Sequence, residues 1–287
     1  MWGKGPKKGL CMTSPVQPII QPLDVCELPT KGVFYPAGSP LYDTDRVEFR
    51  DMTSEEEDLL ANKVLLRKGL VFDKLFKNVL TNKNIEPEKM TIVDRKALMI
   101  RVRINSYGPE YKVDLSCPKC GRQQMIEANL QKAYDESTAK IKDLEDNMNF
   151  FHVERISNDN FAFVLPKTGK KVQIRILTGE DEHKMLKRAE NKKKAFKGMD
   201  GLEEKVFTEL LESLVVSFDG VADPAVVNTF CRTLPAMDSQ KIREVYYFIS
   251  CNFKLMTDFE CEDYDCGHSG KVELPLTADL FRFDAER

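Results

Sequence analysis

Between residues 45 and 107 the apolar positions change period, and the changes mark out elements. Alternation over Asp45 to Phe49 predicts a strand. Thr53 followed by Glu56 is a capping box, with Glu55, Glu56 and Glu57 in the first turn where the helix dipole favours negative charge. It predicts a helix from about 54 to 68. Val71, Phe72, Leu75, Phe76, Val79 and Leu80 then fall on one face of a second helix. Asp94 is read as the cap of a third, which carries Leu98, Met99, Val102 and Ile104 and is broken by Ser106-Tyr-Gly-Pro.

The same order returns in the second half. Leu165-Pro-Lys-Thr-Gly answers Leu28-Pro-Thr-Lys-Gly, and Val172-Gln-Ile-Arg-Ile-Leu-Thr-Gly-Glu-Asp-Glu answers Val47-Glu-Phe-Arg-Asp-Met-Thr-Ser-Glu-Glu-Glu. Asp238-Ser-Gln-Lys-Ile-Arg answers Asp94-Arg-Lys-Ala-Leu-Met, and an apolar helix from Leu202 to Phe218 stands where Val71 to Leu80 stood. An ordered set of landmarks implies a duplicated α+β module; chance agreement of short motifs is the competing explanation. The expected division is an extended arm over residues 1–27, a first module over 28–130, a connector over 131–164 whose charged part from Asp135 to Asn147 reads as a solvated helix, and a second module over 165–287.

Each module ends in a cysteine pair flanked by strand-like runs, Cys117-Pro-Lys-Cys120-Gly and Cys261-Glu-Asp-Tyr-Asp-Cys266-Gly. A structural zinc takes four thiolate or imidazole ligands in a tetrahedron, so neither pair suffices alone. Together Cys117, Cys120, Cys261 and Cys266 make one zinc-ribbon-like site, holding one structural Zn2+ per chain and joining module to module. Two buried thiol pairs without metal, and a redox use of Cys-Pro-Lys-Cys, are the alternatives; the second is weakened because Gly121 and a strand-like run follow where a catalytic dithiol wants a helix N-terminus. His268 could replace Cys261 or Cys266, or stand beside the site as a solvated neighbour. Cys11, Cys26, Cys231 and Cys251 have no partner at ligand spacing and read as buried or idle thiols.

Composition narrows the function classes. With 42% hydrophobic and 31% charged residues the 287-residue chain can bury a full core. A formal charge of −3 gives no global basic field for nucleic acid or an anionic membrane. No apolar run reaches spanning length, and the start lacks the apolar core of a signal peptide, so a reducing cytoplasm, where cysteine pairs favour metal over disulfide, is the expected setting. The basic run Lys184, Lys187, Arg188, Lys192, Lys193, Lys194 and Lys197 reads first as a solvated helix face and second as a docking patch. In residues 1–27, Pro15, Pro18 and Pro22 block regular structure, while Ile19, Ile20 and Leu23 offer apolar anchors for another subunit. Phosphate loops, nucleophile elbows and His-Glu-x-x-His pairs are absent from the sequence, and His152, His183 and His268 leave few acid-base candidates, so no enzyme activity is expected.

The first half also carries Leu28-Pro-Thr-Lys-Gly-Val-Phe-Tyr, Met52-Thr-Ser-Glu-Glu-Glu, Asp94-Arg, Arg101-x-x-x-Asn-Ser-Tyr-Gly and Cys117-Pro-Lys-Cys-Gly in that order. In this it resembles the baseplate-hub protein family of T-even-type contractile-tailed bacteriophages. The resemblance implies a non-catalytic virion structural protein or tail assembly factor, made in the host cytoplasm, part of a hetero-oligomeric complex with other tail and baseplate hub proteins. A zinc-ribbon nucleic-acid binder is the competing class, and Glu260, Glu262, Asp263 and Asp265 around the second cysteine pair speak against it because they repel phosphate.

Overall fold

The computed structural model describes residues 22–67, 69–195, 206–251, 253–276 and 278–281. The arm expected over residues 1–27, with Cys11, lies outside the described residues up to position 21, but its last residues belong to the body. Leu23–Glu27 form strand β1, antiparallel to β2 (Arg46–Arg50), and alternation turns Cys26 and Phe49 into the core while Leu23 and Val25 face outward.

β2 leads to Thr53 and α1 (Ser54–Ala61). Glu56 accepts from the Thr53 amide at 2.9 Å and the Thr53 hydroxyl at 2.7 Å, and pairs with both terminal nitrogens of Arg50 at 3.0 Å. The helix expected to run on to 68 stops at Asn62, whose side chain accepts from the Val64 and Leu65 amides and starts α2 (Lys63–Arg67). In α3 (Val71–Val79) the face carrying Val71, Leu75, Phe76 and Val79 is buried as its spacing requires. α4 (Ile92–Tyr107) is capped by Thr91, not Asp94: Asp94 occupies the third helical position, donates its amide to Thr91 Oγ1, and turns its carboxylate inward. The helix ends at Gly108, whose φ of +83° a side chain would resist. A hairpin of β3 (Glu110–Ser116) and β4 (Gln123–Asn129) follows.

Residues 131–164, expected to connect, carry most of α5, all of α6 and two strands, with irregular stretches between them. α5 (Leu130–Thr138) buries Leu130, Ala133 and Tyr134 ahead of the charged stretch, α6 (Leu144–Phe151) buries Phe151, and between Asp135 and Asn147 most side chains are exposed. β5 (Glu154–Arg155) and β6 (Asn160–Val164) open an antiparallel sheet, order β5-β6-β7-β8, with β7 at Lys171–Arg175. After α7 (Gly179–Ala195) and α8 (Val206–Leu214), β8 (Val215–Phe218) pairs with β7. The helix expected over Leu202 to Phe218 therefore ends at Leu214, where β-branched Val215 and Val216 enter the sheet; residues 202–205 lie outside the described ones. α9 (Pro224–Thr233), α10 (Ala236–Ile249) and a hairpin of β9 (Met256–Glu260) and β10 (Ser269–Glu273) complete the order.

Local contacts recur between the halves. Arg175 pairs with Asp181 at 2.6 and 2.7 Å, and Asp181 accepts from the Thr178 amide, in the relative positions of Arg50, Glu56 and Thr53. Asp94 accepts from the Thr30 amide, and Asp238, also third in its helix, accepts from the Lys167 and Thr168 amides, so each fixes a Leu-Pro-x-x-Gly turn. Leu80 after α3 bridges Phe49 of β2, as Val215 after α8 pairs with Ile174 of β7.

The cores do not divide at the middle of the chain. One gathers Cys26, Phe49, Phe76, Leu98 and Ile100, and takes in Phe253, Leu255, Phe259 and Leu274 from around the β9–β10 hairpin and Leu280 beyond it. The other packs Phe161, Val172, Ile174, Leu214 and Ile242 around the larger sheet and takes Phe34 from the first half. Main-chain bonds between the starts of α4 and α7, Ile92 N to Leu177 O and Gly179 N to Met90 O, tie the halves together. There Arg95, almost fully buried, donates to Asp73 and to the Pro87 carbonyl, and Asp73 also meets His183 at 2.8 Å. Among the described residues no helix is long and apolar enough to cross a membrane.

Candidate metal centre

Each cysteine hairpin is closed by its own backbone. In the first, the Cys117 amide donates to the Arg122 carbonyl and the Gly121 amide to the Cys117 carbonyl; in the second, Cys261 donates to His268 O, and both Cys266 and Gly267 donate to Asp263 O. Gly121 and Gly267 take left-handed φ values of +75° and +57°, the conformation that lets the chain turn back after the second cysteine of each pair.

Packing of both hairpins in the first core brings the tips together. The Sγ atoms of Cys117, Cys120, Cys261 and Cys266 all lie within 4.8 Å of one another, with Cys117 to Cys266 at 3.7 Å and Cys120 to Cys261 at 3.6 Å. A disulfide needs about 2.05 Å. A tetrahedron of thiolates about 2.3 Å from a central ion has sulfur-sulfur edges of about 3.8 Å. The spacing fits an ion at the centre, and four sulfur donors suit zinc or iron. The four cysteines can hold a metal ion.

The shell around the sulfurs is built from both hairpins. Gln124, buried on β4, donates to the Glu260 carbonyl at 2.6 Å and accepts from the Glu262 amide at 2.9 Å, so one side chain replaces a strand partner for the second hairpin. Lys119 sends its Nζ to the Cys266 carbonyl at 2.8 Å and its amide to Cys117 Sγ at 3.4 Å. The thiols are driven apart in acidity. Burial works against ionising Cys117, but the amides of Cys120 and Lys119 and the neighbouring thiols outweigh it and bring it down to about 6. The Asp263 amide favours the Cys261 thiolate, yet burial and hydrogen bonds to the other sulfurs push Cys261 up to about 12. One negative charge in the cluster makes the next costly, the electrostatic condition that a cation relieves.

His268 stands outside the group of four; its ring lies 6.3 Å from that of Phe259. Cys26, Cys231 and Cys251 are buried singly, and burial raises all three thiols, Cys231 and Cys251 to about 12, leaving them without thiolate character. On α7, Lys184 pairs with Glu180 and Asp181, while the side chains from Lys192 on lie outside the described ones. The sequence pattern singled out the four cysteines, but nothing in it marked Gln124 or Lys119, whose roles depend on how two distant hairpins meet.

Residues 25–151, from β1 through α6 and including the first cysteine pair, match the family described as T4 bacteriophage base plate protein. This part of the chain is similar to the T4-type phage baseplate family. No curated protein and no solved structure matches the chain. The baseplate family implies a place in the virion tail and contact with other phage tail proteins, and such proteins are in general structural, not catalytic. The second cysteine pair lies beyond the baseplate match, yet its thiols meet those of the first.

Proposed function

We propose that the protein is a structural component or assembly factor of a contractile-tail baseplate hub, non-catalytic, holding neighbouring tail proteins in fixed geometry, and built from two copies of one α+β module clamped by a single structural zinc on Cys117, Cys120, Cys261 and Cys266. The match over residues 25–151 carries the baseplate role. The recurring Arg-Thr-acid clusters, Arg50-Thr53-Glu56 and Arg175-Thr178-Asp181, and the matching turn-binding Asp94 and Asp238 support duplication. Such contacts follow from position along a module, whereas unrelated halves would have to arrive at each separately.

The clamp reading explains why two cysteine pairs so far apart in sequence belong to one core. Zinc would hold the β9–β10 hairpin against β3–β4 and add its binding free energy to folding. A zinc-ribbon nucleic-acid binder is disfavoured because Glu260, Glu262 and Asp265 are exposed around the second pair. The test is the particle: purified virions, or a baseplate assembly intermediate, contain this chain at fixed stoichiometry. Its absence from both, in infected cells that make the chain, refutes the role.

A further inference from the structure

The second knuckle carries more than two metal ligands. Its tip, Glu262-Asp-Tyr-Asp265 between Cys261 and Cys266, places Tyr264 in the open, at 103% relative exposure. The next most exposed large apolar or aromatic side chain in the described residues is Phe150 at 76%. A ring without intramolecular cover leaves a large amphipathic surface in water, and tyrosine is among the residues that most often anchor protein interfaces.

The backbone beneath Tyr264 is stiff. The Cys266 and Gly267 amides donate to Asp263 O at 3.0 and 3.3 Å, and the Asp265 amide donates to the Asp263 carboxylate at 3.1 Å. Both ends of the turn are cysteines of the four-sulfur cluster, and Gln124 fixes the Glu260 and Glu262 backbone on one side. Only the two side-chain torsions of the tyrosine remain to be ordered on contact, so the entropic cost of burying the ring is small.

Charge says what receives it. Glu260, Glu262 and Asp265 are exposed and Asp263 is half-buried, and among the described residues no lysine or arginine pairs with any of the four. We infer that Tyr264 is the anchor of a docking tip that inserts into a socket on another tail protein, a socket apolar at its floor and rimmed by lysine or arginine. The acids steer the encounter and reject nucleic acid, while the ring supplies the burial. This rests on the baseplate reading of the chain and adds to it the contacting element and the chemistry of its partner.

The experiment uses the full chain during phage infection, with the photo-crosslinking amino acid p-benzoylphenylalanine in place of Tyr264 and, as a control, in place of Phe150; cross-linked peptides are identified by mass spectrometry. The expected result is one dominant cross-link from position 264 to a tail protein, at a site bordered by lysine or arginine. The combined changes Glu260→Lys, Glu262→Lys and Asp265→Lys, which leave the Asp263 carboxylate in its hydrogen bond, reduce its yield about tenfold. With the natural chain, Tyr264→Ala weakens co-purification with that partner about tenfold or more and Tyr264→Phe largely preserves it, while the metal content of both variants is unchanged. A yield at 264 no higher than at 150, a cross-link to a second copy of this chain or to nucleic acid, or indifference to charge reversal overturns the inference. If position 264 fails while the chain still co-purifies with tail proteins, the docking tip falls and the baseplate role stands. If the chain meets no tail protein, both fall.

Discussion

Asp94→Ala removes a buried side-chain acceptor that ties the Leu28-Pro-Thr-Lys-Gly turn to α4. The carboxylate is completely buried and accepts from the Thr30 amide at 3.1 Å, the Thr30 hydroxyl at 2.6 Å and the Tyr35 hydroxyl at 2.7 Å. Each hydrogen bond to a charged group is worth about 1.5 to 3 kcal/mol, and the three donors would be left without this acceptor in a dry site. Against that stands relief of the charge: burial raises the carboxyl above its usual range even though Thr30 and Tyr35 pull it down. The balance puts the loss at about 3 to 5 kcal/mol: three buried donors left without this acceptor at about 1 to 3 kcal/mol each, less the relief of the buried carboxylate. Asp94→Asn keeps the shape, an acceptor for the Thr30 amide and a donor toward two hydroxyls that can rotate, and should cost about 1 to 2 kcal/mol. Because the folded carboxyl is raised, its favourable contribution is complete below about pH 4 and is lost as pH climbs through the raised value, so Asn should lose less relative to the natural residue as pH rises. Urea unfolding followed by circular dichroism over a pH series measures both. A loss under about 1 kcal/mol for Ala, or equal losses for Ala and Asn at neutral pH, would refute the reasoning.

Two further predictions concern charged contacts in the interior. Burial opposes ionising Glu56, but hydrogen bonds from Arg50, Thr53 and Asn78 hold it down to about 2; this depressed carboxylate stabilises the fold above about pH 4.5 and loses its contribution, at most about 3 kcal/mol, as pH falls toward 2, so Glu56→Gln should flatten the acid limb of the stability curve. Gly179→Ala should cost about 1 to 3 kcal/mol, because a methyl there would stand 2.7 Å from the Arg95 guanidinium that Asp73 and Pro87 O hold in place; combined with Arg95→Ala the added cost should vanish, and thermal unfolding of the double-mutant cycle checks it.

What the sequence made legible were features written locally. The capping box at Thr53 and Glu56, the amphipathic face of α3 and the two cysteine knuckles all depend on residues a turn or a hairpin apart. The errors arose where local rules competed. Asn62 can end one helix and cap the next, so a continuous apolar pattern became two helices. Val215 and Val216 continue a helical pattern but are better placed against β7. Asp94 looked like a cap because an acid before an apolar run usually is one; Thr91 takes that place, freeing Asp94 to bind a turn 64 residues away. Leu23–Glu27 read as part of an arm because the prolines before them dominate the composition, although the alternation of Cys26 with its exposed neighbours is a strand signal. The packing of the second hairpin in the first core had no local signature; only the shared chemistry of the cysteines hinted at it.

Metal content tests the central claim most directly. The full-length chain, purified without added metal or chelator, should carry about one zinc and no iron per molecule by native mass spectrometry and elemental analysis. Cys117→Ser should lose the ion and expose the β9–β10 hairpin to proteolysis ahead of the rest of the fold. A metal-free chain with that hairpin fully protected, and with unfolding unaffected by Cys117→Ser, would contradict the account.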